Sequence, residues 1–218
     1  MLAIVGGKGG CGKTTTTLGL AAALVRQRTG ALAVDADPEM PDLHALAGVE
    51  REPGVDAVTE GWPPGMVAGM ADPPTAGVAV LPAAADQFGR QTLPSSLSVS
   101  LRAVTETVLL DCPAGAGPDT VEPLRLADAA VVVTTPEPEC LRDAAKTAAM
   151  ARELDVSVAG TVVSRAEAAP AGVTDLLDCE LLGVVPDAGA GSSVTPLADE
   201  RVRTAHDEVV SALQPKCL

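Results

Sequence analysis

At 218 residues the chain is long enough to bury one sizeable core, and with 47% hydrophobic residues but only 1% aromatics that core must be built from Val, Leu, Ile and much Ala. A net charge of −14 repels phosphate backbones and anionic lipid heads, which disfavours unassisted binding to nucleic acid or to a membrane. Five scattered cysteines (Cys11, Cys112, Cys140, Cys179 and Cys217) show no CxxC and no zinc-like spacing, and their odd number does not suit a disulfide framework.

The first predicted strand is Leu2-Ala3-Ile4-Val5, followed by Gly7-Lys8-Gly9-Gly10-Cys11-Gly12-Lys13-Thr14, a match to the phosphate-cradling pattern GxxxxGK[ST]. Glycines let such a loop wrap so that successive backbone N–H groups point at phosphate oxygens, and the positive end of the following helix faces the same anion. In this pattern Lys13 reaches the β- and γ-phosphates and the Thr14 hydroxyl holds Mg²⁺. Thr14 to Arg28 reads as a helix with Leu18, Ala21, Ala22, Leu24 and Val25 on one stripe, ended by Thr29-Gly30.

Ala31-Leu32-Ala33-Val34-Asp35 is a short apolar run ending in a carboxylate, followed by Ala36-Asp37-Pro38. Ligands of parallel sheets bind at the carboxyl ends of the strands, which puts Asp35 and Asp37 beside the phosphates, although Asp is also common at strand-to-loop turns. From Arg51 to Gly77 the periodicity vanishes in a Pro- and Gly-rich stretch around the only tryptophan, Trp62, with Met66 and Met70. Two readings stand side by side there, a mobile surface excursion and a partner-binding loop.

Val78 to Ala83 resumes as a strand, and Val108-Leu109-Leu110-Asp111 is another, whose terminal Asp111 fits a carboxylate accepting hydrogen bonds from Mg²⁺-bound water. Ala130 to Glu137 gives a further strand, and a helix from about Pro138 to Leu154 follows it. Val156 to Val163 is a strand ending in Ser164-Arg165. The apolar segment Leu181 to Asp187 follows, and Asp199 to Leu213 closes as an amphipathic helix with Val202, Ala205, Val209 and Leu213 inward. Strands alternating with helices in this order predict an α/β fold of the P-loop NTPase class: a mostly parallel twisted sheet with helices on both faces, as a single domain over residues 1–218.

The string Lys8-Gly9-Gly10-Cys11-Gly12-Lys13-Thr14 resembles the deviant Walker A motif KGGxGK[ST] of the MinD/ParA ATPases. Val34-Asp35-Ala36-Asp37 is similar to their VDxD segment, Val78 to Ala83 to "VLPAG", Asp111-Cys112-Pro113-Ala114-Gly115 to D[ST]PAG, and Thr134 to Glu137 with Leu141-Arg142-Asp143-Ala144 to "TTPE…SVRDA". Leu181 to Asp187 resembles "LGVVPED". The resemblance implies ATP and Mg²⁺ as cofactors, bound by Gly7, Gly9, Gly10, Cys11, Gly12, Lys13, Thr14 and Thr15 with Gly115 sensing the γ-phosphate. It also implies a metal site of Thr14, Asp35 and Asp111, catalysis by Lys8, Lys13 and Asp37, and a base pocket of Ser164, Arg165, Pro186 and Asp187. Lys8 is then expected to cross to the partner's nucleotide in an ATP-dependent homodimer, with Asp37 orienting the attacking water. Relatives usually carry Asn where Ser164 stands, and a hydroxyl lacks the paired donor and acceptor of an amide, so weaker discrimination between bases is expected.

The implied activity is an ATP hydrolase acting as a switch for spatial positioning, with a protein partner or activator. One alternative is a metal-cluster carrier of the Mrp or nitrogenase-reductase branch, because Asp111 to Gly115 is also similar to their DxPPG segment. A second is a nucleotide-binding scaffold without turnover. The acidic balance with few aromatics resembles proteins of salt-loving archaea, while a GC-rich bacterial source gives a similar excess of Ala, Arg and Gly. Without a leader, an apolar run of about 18 residues or a basic amphipathic C-terminal helix, the protein is expected to be cytoplasmic and soluble, with reduced thiols and no direct binding to lipid or nucleic acid.

Overall fold

The computed structural model describes residues 1–83, 95–188 and 195–217. Its centre is an eight-stranded sheet in the order β3-β4-β2-β5-β1-β6-β7-β8. The strands are β1 (Leu2–Gly6), β2 (Ala31–Asp35), β3 (Gly69–Met70), β4 (Ala79–Leu81), β5 (Thr107–Ala114), β6 (Ala129–Thr134), β7 (Ser157–Ser164) and β8 (Leu181–Val185). All neighbours pair in parallel except β3, which runs antiparallel to β4 at one edge. β1 lies between β5 and β6, so the glycine loop that follows it emerges in the middle of the sheet's carboxyl edge.

Both faces of the sheet are covered. Along β1, Leu2 and Ile4 pack into one cluster with Leu18, Leu24, Val209 and Leu213, while Ala3 and Val5 pack into the other with Leu101, Leu124, Ala144 and Ala148. Two-faced burial is why these strands read as continuous apolar runs instead of alternating. The first cluster is supplied by α1 (Lys13–Arg26), α2 (Leu43–Ala47) and α9 (Glu200–Cys217), and the second draws on α3 (Val55–Thr59), α4 (Pro64–Val67), α5 (Ser95–Arg102), α6 (Pro118–Leu126), α7 (Pro138–Glu153) and α8 (Val173–Leu177). Val202, Ala205, Val209 and Leu213 of α9 are all buried, as the amphipathic spacing predicts.

The expected boundaries shift in places. α1 starts at Lys13 and ends at Arg26, because Arg28 turns left-handed (φ 63°) and Thr29 N–H returns to the Leu24 carbonyl at 2.9 Å. β5 runs three residues past Asp111, through Cys112 and Pro113 to Ala114. The Arg51–Gly77 stretch contains α3, α4 and β3. Elements of two to five residues are too short to display a helical or strand period, so their order is invisible in the sequence. Trp62, Met66 and Met70 are 55%, 70% and 60% exposed there.

A core with so few aromatics closes by bringing backbones near one another. Where a Cβ on Gly19 of α1 would stand, three atoms of the His206 ring of α9 lie at 2.5–2.6 Å; this near-equal spacing means that the ring lies flat across the glycine. His206 is fully buried, its Nδ1 donates to the Val202 carbonyl at 2.8 Å, and burial pushes its pKa down to about 4. Gly19→Ala would gain about 1 kcal/mol of helix propensity yet drive its Cβ into the His206 ring and force α1 and α9 to adjust, at about 1–3 kcal/mol. The expected net result is a lower urea midpoint; an unchanged or higher midpoint would show that α9 yields.

Candidate functional site: a nucleotide cavity at the carboxyl edge of the sheet

Gly12 leaves the loop with φ 91° and forms the N-cap of α1, whose first residue, Lys13, is 9% exposed. The loop is backed on one side by α7: a Cβ on Gly7 would lie 2.1 Å from the Asp143 carbonyl carbon and 2.4 Å from the Ala144 nitrogen, both backbone atoms. On its other side the Ser164 hydroxyl donates to the Cys11 carbonyl at 2.5 Å and lies 3.3 Å from the Thr134 carbonyl. The Arg165 guanidinium donates to the Gly10 carbonyl.

Two buried carboxylates stand below the loop. Asp35, the last residue of β2, and Asp111, inside β5, are partners in direct register. Asp111 accepts from Thr17 Oγ1 at 3.0 Å, and Asp35 accepts from the backbone N–H groups of Asp37 (3.1 Å) and Leu43 (3.3 Å). Burial raises both carboxyls. Asp111 stands at about 7, with the Thr14 hydroxyl, Lys13 and Thr17 opposing the shift, and Asp35 stands at about 8, with the charge of Asp111 adding to burial. The Thr14 hydroxyl donates to Asp42 Oδ1 at 3.0 Å. Asp37 Oδ1 accepts from the N–H groups of Glu39 and Met40, which shapes the turn after β2.

A cavity of about 590 Å³ gathers most of the expected residues. Gly9, Gly10, Gly12, Lys13, Thr14, Thr15, Asp37, Asp111, Ser164, Arg165, Pro186 and Asp187 line it. Five others stand outside its wall. Gly7 is wedged on α7, the Cys11 thiol is buried towards Gly6, and Asp35 is sealed behind the turn it organises. Gly115 (φ 89°) donates its N–H to the Gly6 carbonyl at 2.9 Å. Lys8 projects to the surface, where its ammonium meets Glu139 of α7 at 3.1 Å.

Sequence reasoning missed Thr17, Asp42 and His206. Thr17 had a signal, since it follows Thr14 by three residues and therefore shares its helical face. Asp42 and His206 had none: the first is placed by an irregular turn, and the second belongs to a helix far away in the chain.

Thr14 and Asp111 offer the cavity oxygen donors that suit a hard divalent cation, with Asp35 behind Asp111, and the two carboxyls, pushed up by burial, are groups that a nearby cation would return to the charged form. Strand, glycine loop and helix at the carboxyl edge of a parallel sheet define the P-loop NTPase class. Residues 2–190 match the model of the CobQ/CobB/MinD/ParA nucleotide binding domain, and the chain belongs to this family of P-loop ATPases. It is 34% identical over 202 residues to an uncharacterized ATP-binding protein of Methanocaldococcus jannaschii, covering 85% of this chain and 74% of that one. It is 29% identical over 203 residues to the septum site-determining protein MinD of Synechocystis, covering 86% and 76%. The structure of MinD from Pyrococcus horikoshii, solved in complex with Mg-ADP, superposes with a TM-score of 0.80 at 26% identity, covering 96% of this chain and 93% of that one.

Proposed function

We propose that this protein hydrolyses ATP with Mg²⁺, that ATP binding assembles a homodimer, and that the cycle of assembly and hydrolysis serves as a switch for spatial positioning. The observation that carries this reading is the division of labour between two lysines of one loop. Lys13 lines the cavity, while Lys8 lies outside it, exposed and paired among the described residues with a surface glutamate. One lysine satisfies the phosphate chemistry of a single site, so the second has a use if another subunit brings a nucleotide to it.

In the cavity the glycine-loop N–H groups and Lys13 hold the β- and γ-phosphates and offset charge on the transferred group. Asp37, with one oxygen fixed by its own turn, presents the carboxylate that orients the attacking water. Thr14, Asp111 and Asp35 would hold Mg²⁺, directly or through its water shell, and the ion neutralises phosphate charge when bound. Pro186, Asp187 and Ala188 border the end of the cavity opposite α2, a wall suited to the base.

A protein partner or activator fits the exposed Trp62, Met66 and Met70 better than a lipid or nucleic acid does, because the chain as a whole is strongly acidic. No helix among the described residues is long and apolar enough to cross a membrane. The test is phosphate release and light-scattering mass with ATP, ADP and Mg²⁺. Asp37→Asn should keep ATP affinity and the ATP-dependent mass while losing turnover by about 10²-fold or more. A parent protein that binds ATP without releasing phosphate would leave a scaffold instead of an enzyme.

A further inference from the structure

Ser164 occupies the position from which the base was expected to be read, yet its only proton is directed at the loop. The hydroxyl donates to the Cys11 carbonyl at 2.5 Å, its other close acceptor is the Thr134 carbonyl at 3.3 Å, and the residue is 4% exposed. Beside it, Arg165 donates to the carbonyl of Gly10. Two consecutive residues at the end of β7 therefore hold two consecutive carbonyls of the glycine loop.

We propose that Ser164, assisted by Arg165, is a positioning residue for the phosphates and not a reader of the base. The reason lies in peptide geometry. Among the described residues the cis peptides are Glu52-Pro53 and Pro73-Pro74, so the loop peptides are trans. In a trans peptide the carbonyl and the next N–H point in opposite directions within one rigid plane. Pinning the Gly10 and Cys11 carbonyls towards β7 turns the N–H groups of Cys11 and Gly12 the other way, towards the phosphate side. A hydroxyl suits this task better than the longer amide would, because the space is narrow: a Cβ on Gly12 would already stand 3.1 Å from Ser164 Oγ. With its proton given to the loop, Ser164 has no donor left for a base, and two-point recognition there is lost.

This inference rests on the nucleotide site proposed above, and the experiment separates the two. Affinities of the parent, Ser164→Ala and Ser164→Thr are measured by calorimetry for ATP, GTP and inorganic tripolyphosphate. Ser164→Ala should weaken all three by a similar factor, about five- to tenfold for one buried hydrogen bond, leaving the ATP:GTP ratio at the parent value. Ser164→Thr keeps the hydroxyl and should restore affinity, which a general loss of folding in the Ala variant could not explain. The clamp is overturned if Ser164→Ala binds tripolyphosphate as the parent does, or if it alters the ATP:GTP ratio. A parent that binds neither ATP nor tripolyphosphate would overturn the nucleotide site itself, and the clamp with it.

Discussion

Lys8→Ala is expected to bind nucleotide as the parent does but to remain monomeric with ATP, and to lose turnover by on the order of 10³-fold, the scale of a charge supplied across an interface. The structure gives the reason for this split. Lys8 does not line the cavity of its own subunit, so removing it leaves the phosphate cradle intact. Its contact with Glu139 joins side chains that are 51% and 70% exposed, and a pair so open to water contributes little to stability. Glu139 raises the pKa of Lys8 further, so the ammonium is charged at any working pH and available to a second phosphate. Lys13→Ala, by contrast, removes a cavity wall and should weaken ATP binding itself. Nucleotide affinity by calorimetry and mass by light scattering distinguish the two variants. If Lys8→Ala still dimerised with ATP and hydrolysed it at the parent rate, Lys8 would be a surface charge and the dimer switch would lose its main support.

Without Mg²⁺ the fold should become less stable between pH 7 and 9, and added Mg²⁺ should offset this loss increasingly as the pH rises. Asp111 and Asp35 stand at about 7 and about 8, above their ordinary 3.8, so at neutral pH the native state retains protons that the unfolded chain has released. Stability falls with rising pH wherever the native state holds more protons, which for this pair extends from the ordinary carboxylate range up to about pH 8. His206 has the opposite slope, but only between about 4 and 6.5, because its ring is neutral in both states above that. From pH 7 to about 8 the carboxylates therefore dominate the slope, and towards pH 9 the buried Cys11 and Cys112 thiols, also raised by burial, add to it in the same direction whether or not Mg²⁺ is present. A cation held at Asp111 favours the charged form that burial opposes, and offsets the charge that Asp111 places beside Asp35. The melting temperature gained with millimolar Mg²⁺ should be larger at pH 9 than at pH 7, by on the order of 5 °C, and Asp111→Asn should abolish most of that difference. An equal gain at both pH values, or the same gain in Asp111→Asn, would place the ion elsewhere.

The parts of this protein that were legible in its sequence share a physical origin. Parallel strands buried on both faces produce dense apolar runs, so β1 and β2 could be placed to within a residue, while β6 stops at Thr134, three residues short of the expected Glu137. Asp35 and Asp111 were visible because each closes such a run, with Asp37 just beyond the first, and Lys13 because the glycine pattern precedes it; strand ends are where this fold keeps its chemistry. Contacts between distant segments were not legible. Thr14 pairing with Asp42, the Ser164 hydroxyl turned onto Cys11 and the His206 ring on Gly19 depend on turns and helix approaches that leave no period in the chain. The short elements α3, α4 and β3 were hidden for a similar reason, since their burial is arranged by neighbours and not by their own pattern.

Trp62 gives this protein a built-in optical reporter with an unusual bias. The chain has one tryptophan and no tyrosine, so its ultraviolet emission arises from a single indole. That indole is 55% exposed beside α4, before the β3 edge, and takes no part in the cavity wall. Its fluorescence therefore registers the state of the sheet's margin: a nucleotide alters the signal only if that margin moves, whereas a protein that covers the indole takes it out of water and shifts its emission to shorter wavelength.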